Sequence, residues 1–116
     1  MRKLIRAFGY ALEGIIHGLK NERNLRLHFL ATLCVIIAGL LTGLSFVEWF
    51  IVLVLFGGML SLEMLNSSIE RVVDLVSTEQ HPLAKQAKDL AAGAVLVFAI
   101  ISAIIGLLLF LPKWIN

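Results

Sequence analysis

Three stretches decide what this chain can fold into. Residues 29–47 (FLATLCVIIAGLLTGLSFV) carry no charge, residues 49–69 (WFIVLVLFGGMLSLEMLNSSI) carry only Glu63, and residues 90–112 (LAAGAVLVFAIISAIIGLLLFLP) carry none. Each meets the roughly 20 apolar residues that an α-helix needs to cross the hydrocarbon core of a bilayer. Inside lipid every backbone N–H and C=O must be satisfied within the protein, which helices do on their own. A soluble alternative fails on size. The chain has 116 residues, 59% of them hydrophobic and 16% charged, against about 25% charged in soluble domains. A chain this short cannot hide so much apolar surface in its own core. The expectation is one all-α integral-membrane domain over residues 1–116, with spans at about 29–47, 49–69 and 90–112.

Residues 1–20 (MRKLIRAFGYALEGIIHGLK) follow a different pattern. Leu4, Phe8, Leu12, Ile15 and Leu19 recur at spacings of three and four, while Arg2, Lys3, Arg6, Glu13, His17 and Lys20 take other faces. This predicts an amphipathic helix on the membrane surface, its cations beside lipid phosphates. A secretory signal peptide is not expected, because no continuous apolar core with a small-residue cleavage site follows the first charges.

Orientation follows from the cations. Arg2, Lys3, Arg6, Lys20, Arg23 and Arg26 precede the first run, and the connection around residues 42–48 has none. Arg71, Lys85 and Lys88 fall between the second and third runs, and only Lys113 follows the third. The positive-inside rule therefore predicts a cytoplasmic N-terminus, a cytoplasmic 70–89 segment and a C-terminus outside, with Trp49 and Trp114 at the outer interface. Residues 77–82 (STEQHP) read as a turn, and Pro82 suits the first position of the next helix. The single cysteine, Cys34, can form no internal disulfide and reads as an apolar filler.

Against this apolar background one polar row stands out. At about 100° per residue, Glu63, Asn66, Glu70 and Asp74 fall within roughly 80° of one another, with Ser67 at the edge. Such a stripe belongs against protein or water rather than lipid, where a carboxylate costs about 2.5–3.5 kcal/mol on insertion scales. Glu63 lies deepest, and Glu70 and Asp74 lie near the cytoplasmic interface. Asp74 also fits a solvated helix end, paired with Arg71 or Lys88. Ionisable residues inside a span are functional by default, and a carboxyl held in hydrocarbon suits proton transfer.

Two further polar patches reach the same interface: Glu22, Arg23, Asn24, Arg26 and His28 before the first run, and Lys85, Lys88 and Asp89 before the third. Carboxylates such as Glu22 and Glu70 suit Mg²⁺, which binds through one or two carboxylates plus substrate phosphates. Nearby lysines neutralise phosphate charge. No phosphate-binding loop or kinase-type Gly-rich loop occurs, and FGGM (56–59) reads as a helix-packing point. These residues leave two classes open: a membrane-surface kinase, and a small proton-coupled transporter with an intramembrane carboxylate.

The run EMLNSSIERVVD (63–74), followed by HPLAKQAKDLAAGAVL (81–96), closely resembles the prokaryotic diacylglycerol kinase family, which includes undecaprenol kinases. NERN before the first run and FGYALEGI in the N-terminal helix agree in order and spacing, so the resemblance covers nearly the whole chain. It implies a homotrimer of three-span protomers in the bacterial plasma membrane, each with a surface helix, and active sites shared between subunits. Glu63 matches the base that takes the proton of the lipid hydroxyl, and Asn66 the asparagine that organises the site beside it. Glu22 and Glu70 match the carboxylates that hold Mg²⁺ on ATP. Lys88 and Asp89 match the A-K-D pair at the nucleotide, and Tyr10, Glu79, Gln80 and His81 align with further ATP contacts. Lys3 stands where the family has an arginine, keeping the charge but losing the bidentate fork. Ser68 replaces a common alanine, and its hydroxyl needs a backbone or water partner.

Glu13 and HPLAK resemble the undecaprenol kinase branch. The implied reaction is ATP- and Mg²⁺-dependent phosphorylation of undecaprenol to undecaprenyl phosphate, the lipid carrier for cell-wall polymers, with diacylglycerol as the alternative acceptor. The partners implied are a lipid alcohol, the membrane and further copies of the chain, with no nucleic acid. A transporter would need a polar path to the outer side, where the first and third runs offer only Thr32, Thr42, Ser45 and Ser102.

Overall fold

The computed structural model describes residues 1–115, which form four helices: α1 (Arg2–Asn21), α2 (Arg23–Thr42), α3 (Phe46–Val76) and α4 (Pro82–Ile115). The last three are long and apolar enough to cross a membrane. Glu22 alone separates α1 from α2. Its extended backbone (φ −104°, ψ 110°) breaks the helix, while its N–H still bonds to Gly18 O at 2.8 Å. Arg26 then donates to Leu19 O and Lys20 O (3.2 and 2.8 Å), covering carbonyls that the end of α1 leaves free.

The first spanning helix is shorter than its hydropathy suggests. The expected span ran to Val47, but α2 stops at Thr42. Gly43 takes φ +85°, a left-handed conformation that glycine adopts without a Cβ penalty. Ser45 then opens α3 with a reciprocal cap: Glu48 N donates to Ser45 Oγ (3.2 Å) and Ser45 N donates to Glu48 Oε1 (2.9 Å). From that cap α3 continues for 31 residues to Val76, carrying the helix beyond the 49–69 span as the sequence leads one to expect. The turn at 77–81 and the start of α4 at Pro82 fall where the sequence puts them.

α3 is the central element, packed against both α4 and α2, while α1 rests on α2. Helices in hydrocarbon gain little from hydrophobic exclusion and associate where small residues let surfaces approach. Gly58, in the FGGM stretch, lies directly under the Phe98 ring of α4, so a side chain there would meet the ring. Gly39 of α2 takes Leu44 and the Trp49 indole in the same way, and Gly18 takes Leu25.

At the short-turn end, Trp114 Nε1 donates to Thr42 Oγ1 (2.8 Å) and Lys113 Nζ pairs with Glu48 Oε1 (3.0 Å). These contacts join α2, α3 and α4 at one level. Leu25, Val52, Met59, Ala91 and Phe110 are buried within the chain, whereas large residues such as Leu40, Val54, Leu96 and Leu108 face outward. An outer surface this apolar is what a hydrocarbon solvent requires.

Candidate active site

The polar row on α3 is buried at its inner part and open at its far end. Glu63 is 3% exposed, Asn66 7% and Ser67 6%, while Glu70 and Asp74 are exposed. Spacings of three and four put these side chains on the helix face that packs inward, so the burial is a direct result of helical period. The gradient from buried to exposed runs toward the 77–81 turn.

Each member has a different set of partners. Glu63 Oε2 lies 3.9 Å from His28 Nε2 on α2, an ion-pair distance but longer than a hydrogen bond. Asn66 Nδ2 donates to Glu70 Oε1 (3.2 Å), a contact one turn along the same helix. Its amide oxygen, Oδ1, is buried and has no hydrogen-bond partner among the described residues. A buried acceptor without a donor costs about 1–3 kcal/mol, and Ser102 Oγ on α4 is the other buried side-chain atom without a partner among the described residues.

Arg71 Nη2 donates to Glu22 Oε1 at 2.5 Å, and Nη1 reaches back to Ser67 O at 3.4 Å. This ties the α1–α2 hinge to the far end of the stripe. Asp74 pairs with Lys88 of α4, one of the two partners the sequence allowed; Arg71 takes Glu22 instead. Lys85 and Asp89 form an i, i+4 pair at 2.5 Å.

The long-turn end also holds a cavity of about 590 Å³ bordered by Asp74, Glu79, Gln80, His81, Lys85 and Lys88. Ser77 Oγ donates to Glu79 O (2.7 Å), and Leu83 N donates to His81 Nδ1 (3.1 Å), which fixes the turn. Of the residues aligned with nucleotide contacts, Glu79, Gln80, His81 and Lys88 are thus gathered around one opening. Lys3 and Tyr10 are exposed on α1 and Asp89 is exposed on α4, none of them on this lining. A second cavity, about 330 Å³ and mostly apolar, lies between α2, α3 and α4, with His28 at its polar edge.

The donor chemistry fits a hard cation at the water side. Glu22 and Glu70 offer carboxylate oxygens, although Glu22 Oε1 is held by Arg71 and Glu70 Oε1 accepts from Asn66 Nδ2, and Asn66 Oδ1 adds an unpartnered amide oxygen on α3. No cluster of three or more His, Cys, Asp or Glu occurs among the described residues. Two residues were singled out only by the structure. Arg71 was known as a charge but not as the partner of Glu22, and His28 was part of a polar patch but not the neighbour of Glu63. Both contacts cross between helices, and no local spacing encodes them.

Comparison with known proteins agrees with the resemblance. A family model described as prokaryotic diacylglycerol kinase matches residues 9–110. An undecaprenol kinase of Bacillus subtilis (strain 168) is 52% identical over 113 residues, covering 97% of this chain and 92% of that protein. A diacylglycerol kinase of Synechocystis sp. is 40% identical over 110 residues, 94% of this chain and 63% of that protein. A diacylglycerol kinase of Helicobacter pylori (strain J99) is 37% identical over 105 residues, 90% of this chain and 81% of that protein.

Proposed function

The chain belongs to the prokaryotic diacylglycerol kinase family and is a lipid kinase, and we propose that its acceptor is undecaprenol and its donor Mg-ATP. The observation that carries this reading is the buried Glu63 on a helix long enough to span, continued by polar groups that open toward the long turn. A lipid alcohol reaches the first from hydrocarbon, and a nucleotide reaches the second from water. The choice of undecaprenol is supported by the likeness to the Bacillus subtilis undecaprenol kinase.

In this reading the Glu63 carboxylate takes the proton of the lipid hydroxyl as its oxygen attacks the γ-phosphorus. The bond from phosphorus to the lipid oxygen forms, the bond to the ADP oxygen breaks, and ADP leaves. Asn66 holds Glu70 through Nδ2 and keeps Oδ1 free for the reacting end of a ligand. Lys88 neutralises phosphate charge at the turn cavity, where Glu79, Gln80 and His81 border the nucleotide space. Lys3, Tyr10 and Asp89 complete the nucleotide contacts, in shared sites of a homotrimer. Glu22 and Glu70 hold the Mg²⁺, which supplies charge screening when bound. The turn at 77–81 faces the cytoplasm, α1 lies on that surface as an amphipathic helix, and the C-terminus lies outside the bacterial plasma membrane. The product, undecaprenyl phosphate, feeds the carrier pool for cell-wall polymers.

The test is direct. Purified protein in bilayers is supplied with Mg-ATP and, separately, undecaprenol or diacylglycerol, and phosphate transfer is followed. Faster transfer to undecaprenol is the expected result. Preference for diacylglycerol overturns the acceptor assignment, and absence of transfer to either lipid overturns the proposed donor–acceptor pair.

A further inference from the structure

A base that works in repeated cycles must release the proton it takes. Glu63 is 3% exposed, so water has little access to it. Among the described residues one ionisable side chain stands within ion-pair distance of its carboxylate, His28, with Nε2 3.9 Å from Oε2. The His28 side chain is 29% exposed against 4% for that of Glu63, so of the two it is the more accessible from outside the chain. It also edges the apolar cavity, where α4 contributes Ala99, Ser102 and Ala103 and His28 is the titratable lining residue. From α3 the ionisable group facing it is Glu63. An imidazole is the side chain whose ordinary proton exchange falls near neutral pH, which is what a carrier between a carboxyl and water needs.

We propose that His28 carries the proton from Glu63 to water between turnovers. This rests on Glu63 being the base. During transfer the lipid O–H bond breaks and the proton moves to the Glu63 carboxylate, while ADP leaves with its electron pair on oxygen. During reset the Glu63 O–H bond breaks and an N–H bond forms at Nε2, giving an imidazolium. The imidazolium returns a proton to water, and the net yield is one proton per phosphate transferred. A side-chain rotation that closes about 1 Å brings the pair within the roughly 2.6–3.2 Å reach of proton exchange. His28 acts through Glu63 and is not itself a catalytic residue.

The relay separates the first turnover from later ones. Rapid-quench measurement on the full-length protein in bilayers is expected to give His28→Gln a first turnover at the wild-type rate. Its steady-state rate is expected to fall by about tenfold or more, the scale of a lost proton-transfer group. Added imidazole should restore the steady state of this variant and leave wild type unchanged. His28→Asn is the second variant, and retained Mg-ATP binding reports an intact fold in either. An unchanged steady-state rate overturns the relay, as does a first turnover slowed as much as later ones without imidazole rescue. Glu63→Gln is run alongside: a normal first turnover there removes the base itself, a failure distinct from that of His28.

Discussion

The two ends of α3 carry carboxylates in opposite circumstances. At the short-turn end Glu48 is paired within the chain: its Oε1 accepts from the Ser45 N–H and pairs with Lys113, and its own N–H donates to Ser45 Oγ. Toward the other end Glu63 is buried with its nearest cation-forming neighbour at 3.9 Å, and Asn66 keeps a buried oxygen without a partner. One end is complete within the chain. The other is left open, which buried polar groups tolerate only where something else completes them. A carboxylate paired within the chain reads as architecture, and a buried one whose nearest ionisable neighbour stands at 3.9 Å reads as a candidate site, even on the same helix.

Substitutions can break or sharpen that contrast. The largest effect is expected for Glu63→Gln, which should lower the phosphoryl-transfer rate about 10²- to 10⁴-fold while Mg-ATP binding is retained; near-normal turnover would erase the distinction. Next, Glu22→Gln and Glu70→Gln should weaken Mg²⁺-dependent nucleotide binding by at least about tenfold, as altered metal surroundings do. Titration calorimetry in bilayers reads this, and unchanged affinity would count against their metal role. Gly58→Val drives a side chain into Phe98 and should destabilise the bundle by about 1–3 kcal/mol, seen as a lower melting temperature. At the engaged end Ser45→Ala should cost about 1 kcal/mol from the lost cap with little change in turnover. Lys113→Gln should do least, because a surface ion pair contributes little; a large loss of activity there would show that the two ends are coupled.

Hydropathy and period disclosed the number of helices, the turn at 77–81 and the shared face of Glu63, Asn66 and Glu70, because each depends on residues close in sequence. The connection around 42–48 was legible, but the point at which the first span stops was not, since Leu44 and Phe46 keep the run apolar. Its signals were a glycine and the S-x-x-E pair of Ser45 and Glu48, which act on the backbone and leave hydropathy unchanged. The partners of the stripe were beyond reach for a different reason. Arg71 meets Glu22 across 49 positions, and which faces of α2 and α3 meet depends on helix rotation set by contacts such as Gly58 on Phe98. Asp74 could be assigned to a pair but not to Lys88 over Arg71 until α4 was in place.

The Ser45 cap has a further consequence for sequence length. α3 runs without interruption from it, so Glu63, 18 positions on (63 − 45), stands about 27 Å along the helix axis from the cap. That nearly equals the roughly 30 Å of hydrocarbon. The cap is therefore a datum from which the position of Glu63 along the helix is counted. One inserted or deleted residue between them would shift Glu63 by about 1.5 Å and swing the entire stripe by about 100°, away from the face that Val52 and Met59 bury. Related chains are expected to keep the residue count of this interval.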